Sequence, residues 1–99
     1  MTNGPAEIVR AHVWVKGRVQ NVGFRAFVQD RGARLGISGW VRNVGNDMVE
    51  AVAEGPRAQV EQLIARMREG PRSAHVDDTR VEWEKASGEF KNFEADYSL

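Results

Sequence analysis

The chain has 99 residues, of which 41% are hydrophobic, and this is enough for one small packed domain. Fourteen basic and fourteen acidic side chains give a formal net charge of zero, which argues against nucleic acid or an anionic membrane as the main partner. Because there is no cysteine, disulfides, thiolate nucleophiles and thiolate metal sites are excluded.

The sequence also lacks targeting signals. No apolar run approaches the ~20 residues of a membrane span, and the polar start, residues 1–4, does not resemble a secretion signal. We therefore expect a cytoplasmic protein that does not bind membranes.

The two halves of the chain differ in charge. Residues 1–45 hold seven basic and two acidic side chains, whereas residues 46–99 hold seven basic and twelve acidic ones. If the protein handles an anion, the first half is therefore the place to look for its site.

The first half begins with a strand and a helix. Alternation of apolar and polar residues over Val9–Val15 predicts a half-buried strand, and a loop follows over Gly17–Gly23. Apolar residues at helical spacing predict a helix over Phe24–Leu35, ended by Gly36. A second strand is expected over Ile37–Val44.

The remaining elements are a strand, a helix and two more strands. A turn at 45–47 leads into a third strand, Met48–Glu54. Gly55-Pro56 opens a second helix with proline at its first position, and Gly70-Pro71 ends it. A fourth strand is predicted over His75–Glu84 and a short last strand over Phe93–Tyr97.

This order of elements predicts an α+β fold of the ferredoxin-like, split βαβ type. Two helices pack on one face of an antiparallel sheet, the third strand lies between the first and second, and the C-terminal strand is an addition. We expect residues 1–99 to form a single domain, with residues 1–7 as a loose N-terminal extension. The exposed edge of the last strand could pair with another chain, although a monomer is the simpler expectation.

The loop before the first helix breaks the usual rules for helix starts. It offers no Ser, Thr or Asp cap, the first acidic residue of the helix is Asp30, and Arg25 in the opening turn opposes the helix dipole. These features make sense together if an anion completes the site at the helix start. The alternative is that Arg25 is a solvated helix residue and that Gly17 and Gly23 only form a turn.

A second candidate residue lies at the same edge of the sheet. The second strand runs in the same direction as the first, so its end, with Asn43, lies beside the loop. With one strand between them, the two ends are about 9–10 Å apart, a gap that a small substrate can bridge. The alternative is that Asn43 only supports the turn that follows it.

These segments together resemble the acylphosphatase family. Its loop signature, Gly-x-Val-Gln-Gly-Val-x-Phe-Arg, is matched by Gly17, Val19, Gln20, Val22, Phe24 and Arg25. Its second signature, Gly-aromatic-x-x-Asn, is matched by Gly39, Trp40 and Asn43. The resemblance extends from about Val9 to Tyr97. One departure is Asn21, where the family has glycine; asparagine tolerates positive φ at a cost of about 1 kcal/mol.

The resemblance implies a hydrolase that converts acyl phosphates to a carboxylate and inorganic phosphate without a metal or cofactor. The phosphate would be held by the loop, namely Arg18, Val19, Gln20, Asn21, Val22, Gly23 and Phe24. Arg25 would supply a fixed cation, and Asn43 would orient the attacking water. The leaving carboxylate is a weak base, so no general acid is needed to expel it.

Three other functions fit the same fold less well. A domain that binds phosphate or carboxylate metabolites without turnover would not need Arg25 and Asn43 together. An RNA-binding sheet needs aromatic residues on its central strands, but Met48–Glu54 has none and carries two acids. An acylphosphatase-like domain serving a larger enzyme is the third alternative, and the lack of a linker favours a free-standing protein.

Overall fold

The structure, a computed structural model, describes residues 7–98. The elements are β1 Ile8–Arg18, α1 Phe24–Leu35, β2 Ser38–Val44, β3 Met48–Pro56, α2 Arg57–Glu69, β4 His75–Lys85 and β5 Phe93–Asp96. Every predicted element is present, and α2 begins one residue later than predicted because Pro56, with φ −57° and ψ 138°, precedes the helix. Within the described residues, no helix is long and apolar enough to cross a membrane.

The predicted loose extension, residues 1–7, lies outside the described residues except for Glu7. The carbonyl of Glu7 accepts a hydrogen bond from Arg57 N at 3.1 Å, and its carboxylate accepts one from Arg57 Nε at 3.1 Å. Glu7 is therefore attached to the start of α2.

The sheet has the order β4-β1-β3-β2-β5, with β3 in the centre as predicted. β1 pairs antiparallel with β3 and β4, and β2 pairs antiparallel with β3. The ferredoxin-like fold class is confirmed, but the sheet is mixed rather than antiparallel, because β5 pairs in parallel with β2.

The parallel pairing of β5 follows from where β4 ends. Lys85, the last residue of β4, pairs with Val9 near the start of β1. The chain therefore leaves β4 at the end of the sheet where β1 begins, and it crosses there from β4 on one side of the sheet to the position beside β2 on the other. β5 then runs back beside β2 and ends opposite Arg42. The C-terminal strand thus delivers the residues after Asp96 to the edge that carries Asn43.

Glu54 holds the crossing segment in place. Its buried carboxylate accepts hydrogen bonds from Ser87 N (2.8 Å), Ser87 Oγ (2.9 Å) and Gly88 N (2.9 Å). Burial by itself raises the pKa of Glu54, but these hydrogen bonds outweigh it, so the pKa lies below its ordinary value. Glu54 is therefore an anion that fixes the start of the path to β5.

The core lies between the sheet and the two helices. Alternate residues of β1, among them Val13 and Val15, are fully buried, as the alternating pattern predicts. The four apolar residues predicted to form the stripe of α2 are all buried: Val60, Leu63, Ile64 and Met67. α1 contributes Phe24, Val28 and Gly32, and Gly32 lets the ring of Phe93 on β5 lie against the helix.

Gly39 explains why the second signature needs glycine. Its φ is +150°, and a Cβ built there would lie 1.8 Å from the carbonyl oxygen of Val52 on β3. No side chain fits without separating β2 from β3. Gly39 therefore keeps β2, and with it Asn43, in register with the central strand.

We expect Gly39→Ala to lower the free energy of unfolding by about 3 kcal/mol or more, because it adds backbone strain and a clash with the neighbouring strand. Gly36→Ala is the matched control, since Gly36 has φ +71° but a Cβ there meets nothing within 4 Å. It should cost only the strain, about 1–2 kcal/mol. Urea denaturation measures both variants, and equal losses would contradict the assignment.

Candidate active site

The start of α1 has no side-chain cap. The residue before the helix is Gly23, with φ +76°, and a glycine has no side chain that could cap the helix. The first turn that follows contains no acidic residue. The carbonyl of Gly23 is bonded to Phe27 N at 3.0 Å, so the N–H groups of residues 24–26 have no acceptor within the helix. Together with the helix dipole, these groups make the helix start attractive to an anion.

Asn21 adopts the backbone conformation that its position in the loop signature implies. It is the one non-glycine residue with positive φ (61°) among residues 7–98. The loop therefore keeps the turn that glycine would give, at the modest cost expected for asparagine in the left-handed region.

Gln20 ties the loop to the turn between β2 and β3. Its side-chain Nε2 lies 3.2 Å from the carbonyl oxygen of Val44, 3.0 Å from that of Gly45 and 3.0 Å from that of Met48, and its two hydrogens are shared among these three acceptors. The backbone adds a hydrogen bond from Gly17 N to the carbonyl of Asp47 at 2.9 Å. The loop and the end of β2 are thus held at a fixed separation.

Arg25 is held by the segment that follows β5. Its Nη1 donates to the carbonyl of Asp96 at 3.3 Å, and its guanidinium carbon lies 4.4 Å from the centre of the Tyr97 ring. The cation–π contact and the hydrogen bond offset the unfavourable position of a cation at a helix start. Hydrogen bonds from the Ser98 side chain and backbone hold the pKa of the Asp96 carboxyl below its ordinary value, and Arg42 and Arg25 act in the same direction.

Asn43 has an oxygen that lacks a partner. Its Oδ1 is buried, and within residues 7–98 it accepts no hydrogen bond. A buried acceptor without a donor is costly, and it is typical of a position that a water or a ligand completes.

A small cavity of ≈ 90 Å³ brings the candidate residues together. It is lined by Val19, Asn21, Gly23, Phe24, Arg25, Ala26, Asn43 and Tyr97. The edge of the sheet thus unites the helix start, the guanidinium and the free amide oxygen, as the direction of the strands predicts. The structure also adds Tyr97 to this site, whose contact with Arg25 no local sequence pattern reveals.

Three of the predicted loop residues do not line this cavity with their side chains, although the prediction for the loop concerns its backbone N–H groups. The Gln20 side chain is hydrogen-bonded to the turn between β2 and β3, a contact that we call the clamp, and Val22 packs against the hydrophobic core. Arg18 pairs with His75 across the sheet and lines a separate surface cavity with His75 and Asp77. Residues 7–98 contain no group of three His, Asp or Glu side chains placed to hold a metal ion.

Comparison with known proteins points to one family. The acylphosphatase family model matches residues 11–95. An acylphosphatase from Anaeromyxobacter sp. is 49% identical over 89% of this chain and 95% of its own length, and one from Gloeobacter violaceus is 51% identical over 84% and 89%. The crystal structure of acylphosphatase from Bacillus subtilis superimposes with a TM-score of 0.85 at 31% identity, covering 90% of this chain and 99% of that one.

The fold and the cavity define a ferredoxin-like α+β sandwich with a small pocket at the sheet edge, where an uncapped helix start meets a guanidinium. The comparisons give this class its family, because the family model and close relatives both cover most of the chain. The chain belongs to the acylphosphatase family and is a hydrolase.

The clamp made by Gln20 leads to a direct prediction. Gln20→Glu removes the donor and sets a carboxylate against three carbonyl oxygens, whereas Gln20→Ala only removes the hydrogen bonds. We expect losses of unfolding free energy of about 1 kcal/mol for alanine and about 2–3 kcal/mol for glutamate, measured in urea. Gln62→Glu, on the exposed face of α2, is the control, and a Gln20→Glu variant as stable as this control would contradict the clamp.

Proposed function

We propose that this protein hydrolyses acyl phosphates to a carboxylate and inorganic phosphate in the cavity formed by α1, Asn43 and Tyr97. The observation that carries the proposal is the convergence of an uncapped helix start, a fixed guanidinium and an unpartnered amide oxygen on one small pocket. Water supplies the oxygen that forms the new P–O bond, and the bond from phosphorus to the acyl oxygen breaks.

The phosphoryl oxygens would be bound by the N–H groups at the start of α1 and by Arg25. A guanidinium presents parallel N–H donors that match two phosphoryl oxygens, and a helix start attracts negative charge. Because Arg25 is already held by the Asp96 carbonyl and the Tyr97 ring, it loses little freedom when the substrate binds. In the transition state the same groups stabilise the negative charge on the phosphoryl oxygens.

Asn43 would orient the attacking water. Its free Oδ1 can accept a hydrogen bond from that water, which fixes the direction of the water's lone pair toward phosphorus. This contact places the nucleophile and removes no proton. Positioning of this kind contributes most when the reaction has no demanding proton transfer.

The residues of the cavity favour a substrate with a good leaving group. The lining contains no His, Asp or Glu, so it offers no carboxylic acid or imidazole to protonate a departing alkoxide. An acyl phosphate releases a carboxylate, which leaves without protonation at neutral pH. A phosphate monoester releases an alkoxide, which needs a proton in order to leave. Since Arg25 and the amides supply positive charge, we also propose that the reaction needs no metal.

Removing the guanidinium should abolish most of the activity. We expect Arg25→Ala to lower kcat/KM for benzoyl phosphate by about 10²–10³-fold or more, measured with EDTA present. Arg25→Lys should also lose most activity, because an ammonium cannot make the forked contact. Arg34→Ala, which removes an exposed arginine from the same helix, is the control. A near-normal rate in Arg25→Ala, or loss of the parent's activity on adding EDTA, would refute the corresponding claim.

Removing the Asn43 amide should affect turnover more than binding. We expect Asn43→Ala to lower kcat for benzoyl phosphate at least about tenfold, while the inhibition constant of inorganic phosphate changes less than about threefold. Asn46→Ala in the adjacent turn is the control, since Asn46 is exposed and does not line the cavity. A parallel loss of phosphate affinity would assign Asn43 to phosphate binding instead.

A further inference from the structure

β4 forms the longer of the two edges of the sheet in the part of the chain that the structure describes. It spans eleven residues, His75–Lys85, and pairs on one side only, with β1, whereas β5 at the other edge has four residues. The pairing with β1 is regular from Asp78 to Lys85, and Asp77 forms a bulge without a partner residue. The regular stretch directs half of its N–H and C=O groups outward, where another strand can pair with them.

An apolar groove lies beside this edge, between β4 and α2. Val81 faces the helices because it pairs with the buried Val13, and Trp83 lies two residues further along on the same face. Trp83 is 42% exposed, and with Val81 and one side of α2 it lines a cavity of ≈ 200 Å³. An exposed tryptophan beside other apolar side chains is typical of a surface that contacts a partner.

The charges of β4 are complementary to those of a second β4 strand that pairs with it antiparallel about Val81. In this register, residue 80 of each chain lies opposite residue 82 of the other, so two pairs of Arg80 with Glu82 form across the interface. Both side chains are exposed and lie on the face opposite the helices. Centring the pairing on residue 80 or 82 instead sets Arg80 against Arg80 or Glu82 against Glu82, so the charges favour the register about Val81.

One kind of like-charge pair remains in this register, because Asp78 lies opposite Glu84 of the second copy. Within its own chain, however, Glu84 has Arg10 beside it, with Nε 3.2 Å from Oε1, and Asp78 has Lys16 opposite it on β1. These cations weaken the repulsion between the two carboxylates. The attractive pairs of Arg80 with Glu82 also lie nearer the centre of the interface.

α2 carries a second complementary pattern beside the same groove. Three of its exposed residues line the groove: Glu61, Ala65 and Arg68. Because Val81 lines the same groove, a twofold axis through Val81 passes close to Ala65. Glu61 and Arg68 lie on either side of Ala65 along the helix, so rotation about this axis brings Glu61 of one copy toward Arg68 of the other. Neither Glu61 nor Arg68 has an ion-pair partner within residues 7–98.

We propose that two copies of this chain form a symmetric dimer in which their β4 strands pair antiparallel about Val81. The two five-stranded sheets join into one continuous sheet, and each Trp83 lies opposite Thr79 of the other copy, where it fills part of that copy's groove. Because each copy uses its one β4 edge, the assembly closes at two chains. No residue of β4 or α2 lines the cavity at the start of α1, so both of these cavities stay open.

Sedimentation velocity of the full chain tests the dimer directly. We expect a monomer–dimer equilibrium with a Kd of about 1–100 µM, the range of a small interface. A chain that stays monomeric at about 1 mM would overturn the proposal. Assemblies larger than two chains would also contradict it, because the twofold pairing leaves no β4 edge free to extend.

Two single charge reversals assign the interface to β4. Arg80→Glu sets acids against acids across the interface, and Glu82→Arg sets bases against bases, so each should weaken association by about tenfold or more. An equimolar mixture of the two variants should sediment like the parent, because the acidic strand of one then faces the basic strand of the other. Both variants lose the contact between Arg80 and Glu82 within the chain, so recovery on mixing has to come from pairing between chains.

The matched controls are Arg34→Glu and Asp30→Arg, which make the same charge changes at an exposed ion pair of α1. Each control should dimerise like the parent, and far-UV circular dichroism shows whether all four variants are folded. Unchanged association of Arg80→Glu and Glu82→Arg, or a mixture that does not recover, would overturn the pairing about Val81.

Discussion

The hydrogen bonds from Gln20 to the turn between β2 and β3 are the constraint on which the rest of the site depends. The loop that leads into α1 follows β1, while Asn43 lies near the end of β2, and β3 separates these strands. By donating to the carbonyls of Val44, Gly45 and Met48, Gln20 fixes the loop against the turn that follows Asn43. The clamp therefore holds the helix start and the Asn43 amide together, as the proposed phosphoryl site requires.

The path of the C-terminal segment supplies the second half of the arrangement. Glu54 holds the crossing from β4 to β5, and the parallel pairing of β5 with β2 brings Tyr97 to the same edge as the loop. There the Asp96 carbonyl and the Tyr97 ring hold a cation that the helix dipole disfavours. The electrostatically unfavourable position of Arg25 is thus stabilised by residues about seventy positions further along the chain.

Much of the fold and part of the site could be predicted from the sequence, because they depend on patterns among neighbouring residues. Alternation and helical spacing locate the elements, and strand direction alone places Asn43 beside the loop. The positive φ of Asn21 follows from its position in a glycine-containing signature. In contrast, the pairing of β5 depends on where β4 ends. The four residues of β5 itself do not determine this pairing. The contact of Tyr97 with Arg25 is long-range and has no sequence period.

The central claim is that a phosphate anion binds at the start of α1, and amide NMR tests it most directly. In ¹⁵N-labelled protein titrated with inorganic phosphate, we expect saturable shifts concentrated at the backbone amides of residues 18–26 and at the side-chain amide of Asn43. The same titration of Arg25→Ala should show little change. Shifts centred on another surface, or equal shifts in the variant, would contradict the account.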